Sequence, residues 1–259
     1  MPGPTASRLT RQHQRDLHAV GRAVAAPVHN LARKATVADI DGWFERVLAR
    51  IVASVRAGWL AARRDTDEYL RAHARAEGRA VVPQSAVWVP ERVVASARVT
   101  GPVAFKKHIA AGGSEIDARR LMARTLPAAA QRLAYAGGRE TVEATVKESD
   151  VILGWRRVTD GDPCAFCALL ASRGAVFLSE KSATTVVGRR GVARGNRAVG
   201  ESYHDGCGCI AEPLYEHEDE PPSVLDLQEQ WRTATAGTSG KSAIRAWRRH
   251  WDQQKKDGG

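Results

Sequence analysis

Between Asp39 and about Glu77 apolar residues recur at helical spacing, through Ile40, Phe44, Val47, Leu48, Ile51, Val55, Trp59 and Leu60. This pattern predicts one long helix. Thr36 is placed to cap its first turn, Asp39 sits at its positive end, and Gly78 suits its C-terminal stop. Upstream, residues 7–34 read as a basic helix, broken or bent near Pro27. Residues 79–91, with Pro83 and Pro90, read as a connection. A helical pattern resumes at Val103–Ala111. Ser114 and Asp117 then form a capping box for a further helix, which passes Leu121, kinks at Pro127 and continues to Tyr135. Gly137-Gly138 is expected to interrupt it before a last helical stretch, Thr141–Glu148.

The pattern changes at Asp150. Val151–Thr159 is β-branched and aromatic, as a strand is. Asp160-Gly161-Asp162-Pro163 is a turn, and Pro163 suits the first position of a helix carrying Cys164, Cys167, Leu169 and Leu170. Gly174 ends that helix, with short strands expected at Ala175–Leu178 and Cys209–Ala211. Residues 181–200 are glycine- and arginine-rich and read as an exposed loop. An acidic, proline-stopped linker begins at Glu216, and one or two tail helices follow. The expected architecture is α+β: a helical N-terminal domain (1–149), a small cysteine/histidine module (150–215), and an acidic linker with a basic helical tail (216–259).

Composition narrows the class. With 259 residues, 43% of them hydrophobic and 26% charged, the chain is a globular protein with a real core. No stretch is apolar enough to span a membrane, and the N-terminus lacks the apolar centre of a signal peptide, so folding in a reducing cytoplasm is expected. A net charge of +10 favours polyanionic partners. Lysine is scarce at eight residues while arginine is abundant, so part of the excess reflects a GC-rich coding bias.

All four cysteines fall in two tight pairs, Cys164/Cys167 and Cys207/Cys209, with His204 just before the second. Two thiolates separated by two residues can face one ion. A distant second pair then completes a tetrahedron, which is the donor set of a structural Zn2+ site. Five candidates compete for four positions, with Cys164, Cys167, Cys207 and His204 the favoured set and Cys209 close behind. Disulfides, or thiols that are simply buried, are the competing readings, and a cytoplasmic setting disfavours the first.

The order of these signals is more specific than the spacing alone. Arg157-Val158-Thr159-Asp160, then Pro163-Cys164-Ala165-Phe166-Cys167, Leu170, Gly174 and Val176-Phe177, followed by His204, Cys207 and Cys209, resembles the phage Mu F-like (MuF) head-morphogenesis domain. The resemblance covers about residues 140–215. Asp205 and Gly208 stand where that family often has proline and arginine. The resemblance implies a non-enzymatic minor capsid protein in the virion interior, present in the host cytoplasm during assembly and associated with portal, scaffold or capsid protein.

Enzymatic alternatives are a zinc-containing nuclease built on His204 and Asp205, or a capsid maturation protease. Neither has a recognisable partner set: Asp160, Asp162, Asn196 and Glu201 form no known metal-nuclease arrangement, and no nucleophile is paired with a base. Non-specific contact with double-stranded DNA is expected from Arg189, Arg190, Arg194 and Arg197 in the loop, and from Arg245, Arg248 and Arg249 in the tail. Trp247 and Trp251 would stack on bases, dock on a partner, or pack on the chain's own core.

Overall fold

The computed structural model describes residues 3–174, 207–215 and 220–257. Three long helices form its body: α1 (Pro4–Arg33), α2 (Ile40–Ala76) and α5 (Glu115–Glu148). Contacts along their lengths set the directions. Gly3 N–H donates to Glu77, Thr10 meets Tyr69, and His13 meets Asp65, so α1 and α2 are antiparallel. Between α2 and α5, Leu70 packs with Val142 and Phe44 with the Leu126 region, so these two run the same way. The chain returns between them along an extended stretch, α3 (Pro90–Arg98) and α4 (Ala104–Ala110). Backbone N–H groups of Gln84 and Ala86 donate to Thr145 and Thr141, then Arg92 pairs with Glu140, and Lys106 reaches Asp41.

Several local expectations hold. Ser114 accepts from the Asp117 N–H (3.1 Å), Gly78 takes a positive φ of 67° after the end of α2, and Gly174 does the same after the cysteine helix (φ 62°). Others are corrected. The cap of α2 is Asp39, which accepts from the Gly42 N–H at 2.9 Å; Thr36 makes no side-chain cap. Helix α3 occupies part of what reads as a connection, because Pro90 starts a helix there instead of ending one. Pro27 lies inside α1 without breaking it, and α5, which also contains Pro127, runs through Gly137-Gly138 without the interruption expected at those glycines. The glycines serve packing: a Cβ on Gly137 would overlap the Trp59 carbonyl oxygen, and one on Gly138 the Thr66 hydroxyl. They let α5 lie against the backbone of α2.

The sheet is a two-stranded antiparallel ladder, β1 (Gly154–Val158) with β2 (Ile210–Leu214), in register Gly154 to Leu214 and Val158 to Ile210. Trp155 and Ala211 pack on Tyr69, Leu70 and Val142, which seats the sheet on the helical body. A buried polar knot fixes it there. Glu212 on β2 accepts from the Thr10 hydroxyl (2.6 Å) and from Arg156 Nε on β1 (2.6 Å), and His73 Nε2 of α2 approaches it at 3.6 Å. Each of these four side chains is at most 4% exposed. Helix α6 (Ala165–Ala171) follows β1, and α7 (Pro222–Thr235) and α8 (Gly240–Asp257) pack against it. The fold is α+β. The strand expected at Ala175–Leu178 and most of the acidic linker lie outside the described residues, and no described helix is long and apolar enough to cross a membrane.

Candidate metal centre

Cys164 ends the turn after β1 as the N-cap of α6, its sulfur accepting from the Cys167 N–H at 3.4 Å. One helical turn carries Cys167 inward, where it is 1% exposed. Cys207 and Cys209 precede β2 and flank Gly208, and both are buried. The Sγ atoms of Cys167, Cys207 and Cys209 all lie within 4.8 Å of one another, with Cys167 and Cys207 at 3.4 Å. Cys164 and Phe166 pack against this trio from its half-buried side. No disulfide joins any of the four cysteines.

These distances suit a metal ion. Zinc–sulfur bonds of about 2.3 Å in a tetrahedron put neighbouring sulfurs about 3.8 Å apart. Three buried sulfurs at that spacing can hold an ion; Cys164, also favoured from sequence, packs against the trio but is not among the sulfurs that lie within 4.8 Å of one another. His204, in the set favoured from sequence, lies outside the described residues. Cys209, its rival for the last position, is in the cluster.

Electrostatics favour a thiolate at one of the three sulfurs, Cys207. Hydrogen bonds from Cys167 and Cys209 lower the Cys207 thiol pKa far below its ordinary value, aided by Arg139 and Arg157. The same sharing raises Cys167, which is bonded to Cys164, Cys207 and Cys209. Arg157 Nη1 donates to Cys167 Sγ at 3.7 Å from the neighbouring strand. The bond from Cys167 lowers Cys209, but its bond with Cys207 and its burial outweigh that and push it up to about 12. In the absence of an ion a single thiolate, on Cys207, is therefore favoured beside the two guanidinium groups.

The Cys207-Gly208-Cys209 backbone is clamped by the helical body. Arg139 of α5 donates to the carbonyls of Cys207 (2.7 Å) and Cys209 (2.9 Å). Gly208 N–H donates to Asp160 Oδ2 at 3.1 Å, and its carbonyl meets His18 Nε2 (3.0 Å) and Gln14 Nε2 (3.4 Å) of α1. A Cβ on Gly208 would run into Asp160 Oδ2 and His18 Nε2, so a larger residue there would have to displace both of these side chains. Arg157 and Asp160 sat in the sequence motif without a role. Arg139, His18 and Gln14 carried no local signal, because their partners are backbone atoms many positions away.

The tail helix is divided between two faces. Trp247 is fully buried and donates its indole N–H to the Ala165 carbonyl (2.6 Å), while Trp251 donates to the Pro163 carbonyl (2.8 Å). Both tryptophans thus pack on the cysteine helix and its approach, the own-core alternative among those open from sequence. Arg245, Arg248 and Arg249 are exposed on the opposite side. Arg189, Arg190, Arg194 and Arg197 lie outside the described residues.

A family model described as "VG15 protein" matches residues 5–234, from the first turn of α1 into the last turn of α7. The chain belongs to the VG15 protein family. This is a family of viral proteins, and the match takes in both cysteine pairs, the sheet and all three long helices, leaving α8 beyond it. No curated protein and no solved structure matches the chain.

Proposed function

We propose that this VG15 protein is a non-enzymatic minor component of a phage head, related to the Mu F-like head-morphogenesis proteins, that docks on the portal and stands next to packaged DNA. The observation that carries the reading is the cysteine centre: a strand, a CxxC helix and a second pair before an antiparallel strand, drawn into one buried sulfur cluster. The order of these parts is that of the Mu F-like module, and the viral family membership supports the same setting.

The proposed ion is zinc, held by Cys167, Cys207 and Cys209 with Cys164 or His204 as the fourth ligand. It would supply cross-linking, tying the start of α6 to the start of β2, since a sulfur-saturated site keeps no position for an activated water. Arg157 and Arg139 offset the thiolate charge, and Asp160, His18 and Gln14 fix the second pair. The helical body offers faces for docking on portal or scaffold protein, and the exposed tail arginines Arg245, Arg248 and Arg249 can meet DNA phosphates.

Affinity capture of the tagged chain from assembling particles is the test. Portal protein is expected to co-purify, and deletion of the chain is expected to leave heads that form but deliver DNA poorly. Metal-dependent nicking of plasmid DNA, abolished by His204→Ala, would instead establish a nuclease.

A further inference from the structure

Helix α1 carries one basic face. At about 100° per residue, Arg8, Arg11, Arg15, Arg22, His29 and Arg33 fall within an arc of about 60°, and the stripe from Arg8 to Arg33 is about 37 Å long. All six side chains are exposed. The buried residues of α1, among them Leu17, Val24 and Val28, lie on the far side of the same helix.

No carboxylate neutralises this stripe among the described residues. Arg8 and Arg15 hydrogen-bond to neutral neighbours, Thr5 and Gln12, while the ion pairs lie elsewhere. The one acid of α1, Asp16, points off the stripe and bonds Gln12. A coding bias towards arginine does not account for this. Helix α2 shares the bias, yet mixes seven arginines with five carboxylates, whereas α1 has five arginines and one. Where α1 ends, α5 adds to the face: His29, Arg33, Arg120 and Arg124 line one surface groove.

We infer that the outer face of α1 is a binding surface for the phosphate backbone of double-stranded DNA. The inference rests on the proposed head location for its ligand and adds the surface, which is distinct from the tail. Charge complementarity selects a polyanion, and the stripe is about as long as one turn of B-DNA, about 34 Å. A duplex fits better than a single strand because α1 contains no Phe, Tyr or Trp on which unpaired bases could stack. A membrane surface does not fit, since the residues flanking the stripe (Ala19, Ala23, Ala26, Asn30) provide no bulky apolar side to insert. Arginine also matches phosphate bidentately, and binding of this kind is independent of sequence.

The test is a salt titration of full-length protein with a 30-base-pair duplex of about 100 Å, followed by anisotropy. Three forms are compared: wild type, Arg15→Gln/Arg22→Gln/Arg33→Gln, and the charge-matched Arg50→Gln/Arg56→Gln/Arg64→Gln on α2. All six positions are exposed, and melting curves verify that each form is folded. The α1 variant is expected to lose about 2.7 from the log–log salt slope, 0.9 for each phosphate contact, while the α2 variant keeps the wild-type slope. Equal loss in both variants, tighter binding to a single strand of the same length, equal competition by polyglutamate, or no binding at low salt would each overturn the inference. Portal capture reports separately: an α1 variant that loses DNA but still captures portal leaves the proposed function standing, whereas one that binds DNA normally but fails to capture portal reassigns this face to a protein partner.

Discussion

Glu212 shows what a single residue does in this fold. Burial pushes its carboxyl pKa up, but the nearby His73 imidazole, the Arg156 charge and the Thr10 hydroxyl outweigh that and hold it below the ordinary 4.5. A carboxyl depressed on folding contributes stability above its unfolded pKa, and the contribution disappears as pH falls through the folded value. Glu212→Gln keeps the shape but leaves Arg156 buried beside a neutral group, and is expected to cost about 3 kcal/mol at pH 7. In urea unfolding the difference from wild type should shrink as the pH drops well below 4.5. A loss that is the same at pH 7 and in acid would mean that the carboxylate charge is not what holds the sheet to α1 and α2. None of this was legible in the sequence, where Glu212 is one acidic residue between Ala211 and Pro213. The cysteines were legible because their chemistry is carried by their own spacing. Arg139 was not, since its partners are carbonyls 68 and 70 positions away.

At the level of elements, hydrophobic periodicity located the long helices well and misjudged what ends them. Ser114, Gly78 and Gly174 act locally, through a hydroxyl or a positive φ, and could be read. Gly137-Gly138 looked like a break because glycine in an isolated helix costs about 1 kcal/mol each. Here tertiary packing overrides that preference, since the absent side chains allow α5 to approach the Trp59 backbone of α2. The sign of a substitution follows. Gly137→Ala would stabilise an open helix, but in this crossing it is expected to destabilise by about 2 kcal/mol, as overpacked cores do. Thermal and urea unfolding of the variant check this, and a gain in stability would show that the two helices can part without loss. At Pro90 the opposite holds: a proline that reads as part of a connection is the first residue of α3.

On the scale of the whole molecule, the cysteine centre joins parts that would otherwise be held mainly by the sheet. Arg139 from α5, His18 and Gln14 from α1, and Asp160 from the turn after β1 all converge on the Cys207–Cys209 segment, while α8 covers the cysteine helix through Trp247. The α+β class and the helical front half could be read from pattern alone, whereas the docking of sheet and tail on that body could not, because it depends on contacts between distant positions. The central claim is that the sulfur cluster is a structural zinc site. Elemental analysis of protein purified under reducing conditions without added metal tests it most directly. About one zinc per chain is expected in the wild type, and little in Cys167→Ser, since the closing of such a site and its metal binding are one equilibrium. Folded wild-type protein that contains no metal and retains four alkylatable thiols would contradict the account.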